Sequence, residues 1–220
     1  MKRLNEIWIL GAGRFGRRAA GTLRQTYPQA DIVLVDSSGK VCATMEGNSF
    51  RVVCREGVGY LRENLKPGRG PDWIIPMIPV HVVYEWMRLE LEKTHHIQAV
   101  AVPQEVADTL PNPIRGADGQ IYMTHATFIC PWNCPEPDDI CTHTGNPRPQ
   151  NLNRFLETIQ HPQFRTVVVQ SRQLAPGIGG YQPEALFRAL KTVVAGTDPV
   201  LLSTACRCHG VMHAFAIAAL

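Results

Sequence analysis

The segment Gly11-Ala12-Gly13-Arg14-Phe15-Gly16 constrains this chain more than any other. A G-x-G-x-x-G is a weak signal alone. Here it follows an apolar β-rich run, Ile7–Leu10, and opens a helical pattern, Arg14–Tyr27, that Pro28 ends. In that setting each glycine has a physical task. Gly11 permits a tight turn, Gly13 lets the backbone approach a pyrophosphate, and Gly16 lets helix and strand pack closely. The N–H groups and dipole at the helix start favour phosphate, with Arg14 and Phe15 in the loop beside it. A second apolar run, Asp31–Val35, leads into Asp36 about twenty residues past the loop. A carboxylate there can accept from the ribose hydroxyls of an adenosine and repel a 2′-phosphate. The reading is an NAD site made by Gly11, Gly13, Arg14, Phe15, Gly16 and Asp36. The plain alternative is a fold whose glycines serve packing alone. Arg17 and Arg18, further along the first turn, are expected to be solvated.

Three further β-rich runs, Arg51–Cys54, Trp73–Ile78 and Ile97–Val102, alternate with helical spacing such as Val83, Trp86, Met87 and Leu91. Strands covered by helices on both faces read as near-continuously apolar, and these do. The prediction is an α/β fold: a Rossmann-type parallel sheet with helices on both faces over residues 1–103, closed by Ile97–Val102. A smaller cysteine-rich α/β or α+β domain over 104–220 follows. ILGAGRFGRRAAGTL, then DIVLVDSS, then RVVC resembles the NAD-binding domain of the proteins that regulate potassium transport and conductance (KTN/RCK type), over about residues 5–100. The resemblance implies NAD or a related adenine nucleotide on Gly11, Gly13, Gly16 and Asp36, and a nucleotide-sensing regulatory role as one reading of function.

With 45% apolar and 19% charged residues, the 220-residue chain is not a wholly disordered one, and a formal charge of +3 argues for neither nucleic acid nor a membrane surface. No apolar run reaches the length of a membrane helix, and Ile7–Leu10 is too short for a signal peptide, so the expected compartment is the cytoplasm. The seven cysteines are then not a disulfide framework. Cys42 and Cys54 read as small buried hydrophobes.

The other five cysteines fall in the second half, as C-x3-C-x6-C (Cys130, Cys134, Cys141) and C-x-C (Cys206, Cys208). Prolines after Cys130 and Cys134 forbid a helix, so this segment must wrap as a loop, able to converge several side chains on one point. Cys206 and Cys208 lie on a strand-like run, where alternation puts both sulfurs on one face. The first cluster is one thiolate short of a four-ligand site, and the second supplies it. The metal candidates are therefore Cys130, Cys134, Cys141, Cys206 and Cys208. Spacings unlike C-x2-C favour an iron–sulfur cluster over zinc, while reduced cysteines that merely pack, or a redox disulfide, are the plain readings. His125, His143, His209 and His213 flank them, with His125 and His213 expected to be ordinary hydrogen-bonded histidines. The leading expectation is an NAD(H)-binding redox protein carrying an iron–sulfur site, an electron-transfer component with a protein partner in a larger complex. The alternative is an adenine-nucleotide-sensing regulatory subunit with structural zinc. Oligomeric state is left open, a homo-oligomer included.

Overall fold

Alternation of side chains along each strand decides how the layers stack. The computed structural model describes residues 3–45 and 50–220. The first part of the chain forms β1 (Glu6–Leu10), α1 (Arg14–Thr26), β2 (Asp31–Asp36), α2 (Gly39–Met45), β3 (Arg51–Cys54), α3 (Gly57–Asn64), β4 (Trp73–Pro76) and α4 (Val82–Leu91). β1 to β4 make a parallel sheet in the order β3-β2-β1-β4. Strand order reverses direction beside β1, so the crevice at the C-terminal ends of β1 and β4 is where such a sheet receives a ligand. Ile7, Ile9, Ile32 and Leu34 face α1, whose Ala19, Ala20 and Leu23 meet them. Trp8, Leu10, Val33 and Val35 face the opposite way, toward α3 and α4.

The remainder comprises β5 (His95–Val100), α5 (Gln104–Ala107), β6 (Ile114–Arg115), β7 (Ile121–Thr124), α6 (Leu152–Glu157), β8 (Arg165–Gln170), β9 (Arg172–Ala175), β10 (Ile178–Gly180), α7 (Pro183–Val194), β11 (Val200–Ala205) and β12 (His209–Ala219). β12 is the axis of a six-stranded second sheet. One of its edges pairs with β11, and the other with β7 and then β5. β8 lies parallel to β11. The chain is thus the α/β molecule expected, a helix-flanked parallel sheet followed by further sheets.

The strand expected to close the first sheet, Ile97–Val102, does otherwise. It is β5, and it runs antiparallel to β12 in the second sheet. The edge of β4 that it would have used is instead approached by the β9–β10 hairpin, through reciprocal backbone bonds between Ile74 and Tyr181 of 2.9 and 3.0 Å.

The two sheets share one core. Leu10, Val33 and Val35 of the first sheet and Val167, Val169, Leu202 and Phe215 of the second bury against α3, α4 and α7, which lie between them. The far face of the second sheet packs on α5 and α6 through Leu201, Met212, Ile121 and Leu156. Among the described residues no helix is long and apolar enough to cross a membrane.

Candidate functional site

The glycine loop has the geometry its sequence implies. Gly11 takes φ +104°, and a Cβ there would stand 2.7 Å from the Met77 carbonyl oxygen. A Cβ on Gly16 would lie 1.8 Å from the Gly11 carbonyl oxygen, whereas one on Gly13 meets nothing within 4 Å. The first two glycines are therefore demanded by the protein's own packing. The third leaves open space of the kind a ligand's close approach uses. Gly13 is also the N-cap of α1, which no side chain caps and whose first turn carries no acid. Its dipole is left for an anion. Arg14 lies 5.0 Å from the ring centroid of Phe15, which is exposed.

Asp36 closes the other end. Its Oδ2 accepts from the Ala12 N–H at 2.7 Å and its Oδ1 from the Ser38 N–H at 2.9 Å. A carboxylate offers about four lone-pair sites, so acceptor capacity remains for two ribose hydroxyls. Cys42 is buried and its thiol contacts the Asp36 carbonyl; burial pushes that thiol up to about 11. Cys54 differs from expectation: it is exposed. It ends β3, opposite Asp36, and so lies at a strand terminus rather than in the core.

From His125 to Gln150 the chain forms no helix or strand, as the prolines require. This loop and the β11–β12 turn face one another across a cavity of about 610 Å³. Cys130, Cys134, Cys141, Cys206 and Cys208 all line it, with His125, His209 and Arg148. Two clusters remote in sequence are thus brought to one place. Pro76 and Met77, just past β4, line the same cavity. The Met77 carbonyl backs Gly11, so the thiol cavity and the glycine loop are neighbours.

The strand reading of Cys206 and Cys208 is corrected: Cys206-Arg207-Cys208 is the turn between β11 and β12. Both flanks are β-rich, which hid the turn, and alternation does not govern where its sulfurs point. The Cys206 Sγ accepts the N–H groups of Cys208 and His209 at 3.5 and 3.4 Å and lies 3.9 Å from His209 Nδ1. The Cys208 Sγ accepts from Arg148 Nη2 at 2.8 Å. Across the cavity, the Cys134 Sγ accepts the Glu136 N–H at 3.4 Å, and Cys141 receives N–H groups from Thr144 and His143. Those bonds hold the Cys141 thiol below its usual value. Burial raises Cys130, with Cys134 and Cys141 adding to it. Burial, and after it the Glu136 carboxylate, pushes Cys206 up to about 12.

The donor set fits a thiolate-bound metal in chemistry. Four of the five sulfurs already receive an N–H, the bonding that steadies a thiolate ligand. Closeness is another matter. Among the described residues no three side chains of His, Cys, Asp or Glu converge on a single ion's radius. The Arg148 guanidinium stands among the sulfurs, its charge reaching Cys130, Cys141 and Cys208.

Two residues of this site escaped the sequence. Arg148 is separated from every cysteine by loop, and only folding brings it inside. Glu136, between two prolines, is held at φ +50°, a conformation disfavoured for a side chain. Its carboxylate accepts the Arg207 N–H at 2.8 Å, which clips the loop to the hairpin turn. Asp138 adds an ion pair to the Arg207 side chain. Arg18 was also misjudged. Its guanidinium lies 3.8 Å over the Trp132 ring and donates to the Trp132 carbonyl at 2.8 Å, joining α1 to the cysteine loop. His125 bonds the Gln150 carbonyl at 2.9 Å and His213 bonds His81, as expected of ordinary histidines, while His143 stacks on Phe128.

A family described as "Uncharacterized protein, C-terminal domain" matches residues 83–218, from within α4 to the end of β12. The match takes in β5 and the whole second sheet. An "Uncharacterized protein" of Archaeoglobus fulgidus is 30% identical over 217 residues, covering 94% of this chain and 97% of that protein. The likeness therefore runs over nearly the whole chain, not the second sheet alone. By a match over more than half its length and a relative aligned nearly end to end, the chain belongs to this AF_1314_C family.

Proposed function

We propose that the protein binds NAD(H) at the Gly11–Gly16 loop and exchanges electrons with an iron–sulfur cluster held by thiolates in the neighbouring cavity, as an electron-transfer component of a larger complex. One observation carries the reading: five cysteines from two remote segments line a cavity whose wall includes Met77, the residue that backs Gly11. A dinucleotide laid along such a loop has its adenosine ribose at Asp36 and its pyrophosphate at the start of α1. Its other end then lies beyond β4, on the side of the thiols. NAD(H) supplies a hydride donor or acceptor, and a cluster supplies single-electron steps.

The chain's own residues do the rest. Asp36 orients the ribose and rejects a 2′-phosphate. The α1 N-terminus holds the pyrophosphate, and Arg14 adds positive charge. Met77, Phe128, Pro131 and Trp132 line the cavity and limit water around the thiols. Arg148 offsets the negative charge that several thiolates bring.

Anaerobic purification or reconstitution with ferrous iron and sulfide tests this. The expected result is a broad absorbance near about 400 nm that bleaches on adding NADH. Protein that holds neither iron nor zinc refutes the metal centre. A colourless protein with stoichiometric zinc supports instead the regulatory subunit that senses adenine nucleotide.

A further inference from the structure

We propose that β8 is a docking edge for an extended acidic peptide of a partner protein, which adds as a strand beside Thr166–Gln170 and sets its carboxylates against Arg154, Arg172 and Arg188. The site involves none of the glycine-loop residues and needs no metal in the cysteine cavity.

β8 ends the second sheet: β11 takes one side of it, and among the described residues no strand takes the other. The ladder decides which backbone groups are left over. The Arg165 N–H donates to the Pro199 carbonyl at 2.8 Å, and the Ser171 N–H to the Ala205 carbonyl at 2.8 Å. Groups that face one neighbour recur at every second residue, so Arg165, Val167, Val169 and Ser171 serve β11. The N–H and C=O groups of Thr166, Val168 and Gln170 point the other way and have no hydrogen-bond partner among the described residues. All of Thr166–Gln170 line a cavity of about 510 Å³, with Arg188 and Thr192 of α7 on its wall. A second cavity, of about 600 Å³, continues past the end of β8, and Gln170 and Arg172 line both. An unpaired edge bearing three valines is a template for another strand, and here a groove runs along it.

Charge selects the occupant. Arg172 and Arg188 line the first cavity with Glu157, and Arg154, Arg172 and Arg207 line the second with Glu136 and Asp138. Arg207 is spent on these last two acids: its side chain pairs with Asp138 and its backbone N–H donates to the Glu136 carboxylate. Arg154, Arg172 and Arg188 are exposed and form no ion pair among the described residues; Arg172 Nε donates to Gln170 Oε1 at 3.1 Å. Glu157 is the acid left to oppose them. The groove therefore carries surplus positive charge beside free main-chain donors and acceptors. Main-chain bonds to such an edge give affinity, and the side chains around it give specificity. An acidic strand meets both features. A second copy pairing β8 with β8 would instead set these arginines against their own counterparts.

The test is fluorescence anisotropy on the full-length protein with two labelled peptides of about eight residues, one alternating Glu with Val and one alternating Lys with Val. The acidic peptide is expected to bind about ten-fold or more tightly than the basic one, and added salt should shrink the difference. While it is bound, hydrogen exchange should slow several-fold at the Thr166, Val168 and Gln170 amides. Arg172→Glu combined with Arg188→Glu should abolish the preference. Val168→Pro removes an outward N–H and spares the β11 ladder, and should weaken binding several-fold. Circular dichroism checks that each variant is folded, and Gln170→Pro serves if Val168→Pro is not. Failure of the acidic peptide to bind, equal binding of the basic one, unchanged exchange at those amides, or a folded charge-reversed variant that keeps the preference each overturns the proposal. A dimer in sedimentation that Val168→Pro dissolves assigns the edge to a second copy and overturns it likewise.

Discussion

Asp36 joins the end of β2 to the glycine loop through the Ala12 N–H and also accepts the Ser38 N–H, which leaves acceptor capacity for the ribose of the proposed dinucleotide. Asp36→Ala should weaken NAD binding about ten-fold or more, since hydrogen bonds to a charged group are each worth about 1.5–3 kcal/mol, and should narrow the preference over NADP. Titration calorimetry with both nucleotides measures this; tighter binding of NADP than NAD by the unmodified protein would overturn the assignment. A second residue-scale expectation concerns a buried pair. His81 and His213 meet Nδ1 to Nδ1 at 2.9 Å, and His81 Nε2 bonds Thr204 Oγ1 at 2.9 Å. Burial drives both below the usual histidine value, His81 further through His213, and His213 to about 4 against the opposing pull of Asp118. Between the unfolded value of about 6.5 and that folded value the unfolded chain binds more protons. Stability present above about pH 6.5 should therefore be lost progressively as pH falls toward 4. Urea midpoints at pH 7.5 and 5 should differ in that sense, and His213→Gln should flatten the slope. Equal midpoints in the unmodified protein count against it.

The β9–β10 hairpin is one of the elements that hold the cysteine loop. Its turn residue Gly177 takes φ +71°, and a Cβ there would come within 1.6 Å of the Trp132 carbonyl oxygen. Its N–H donates to the Cys134 carbonyl at 3.1 Å, which also accepts from the Gln173 side chain at 2.8 Å. Gly177→Ala should therefore cost about 1–3 kcal/mol, lodged in the docking of the loop rather than in either sheet. The thiols of the loop should then react several-fold faster with a colorimetric disulfide reagent; unchanged kinetics would show that the loop is held by other contacts. In sequence, Ala175-Pro176-Gly177-Ile178-Gly179-Gly180 reads as a turn ahead of the helix at Pro183, and the turn is there. That it serves as a seat for the cysteine loop is a non-local fact, invisible to turn chemistry.

At the scale of the whole molecule, a single core lies between the sheets. Phe215 of β12 packs in the same buried cluster as Trp8 and Val33 of the first sheet, with α3, α4 and α7 between. Heating should therefore melt both sheets in one calorimetric transition. Phe215→Ala should lower stability by about 3–5 kcal/mol and destabilise both sheets together. Two separate transitions in the unmodified protein would contradict a shared core.

What could be read locally was read well. Continuous apolar runs, the glycine spacing and Pro28 placed β1, α1 and β2. These features depend on neighbours within a turn or a strand, which the order of residues specifies directly. Ligand number led to the expectation that the two cysteine clusters share one metal centre; both line one cavity, while among the described residues no three such side chains converge on a single ion. Other outcomes were decided only in three dimensions. β5 had the composition of a parallel strand but found its partner in β12, because any apolar strand satisfies its backbone at whichever compatible edge folding presents. Arg18 found Trp132, Arg148 reached the Cys208 sulfur, and Cys206 and Cys208 fell in a turn rather than on a strand. A charge or a thiol carries no local signal of its eventual neighbour, so its role waits on the packing of elements far apart in the chain.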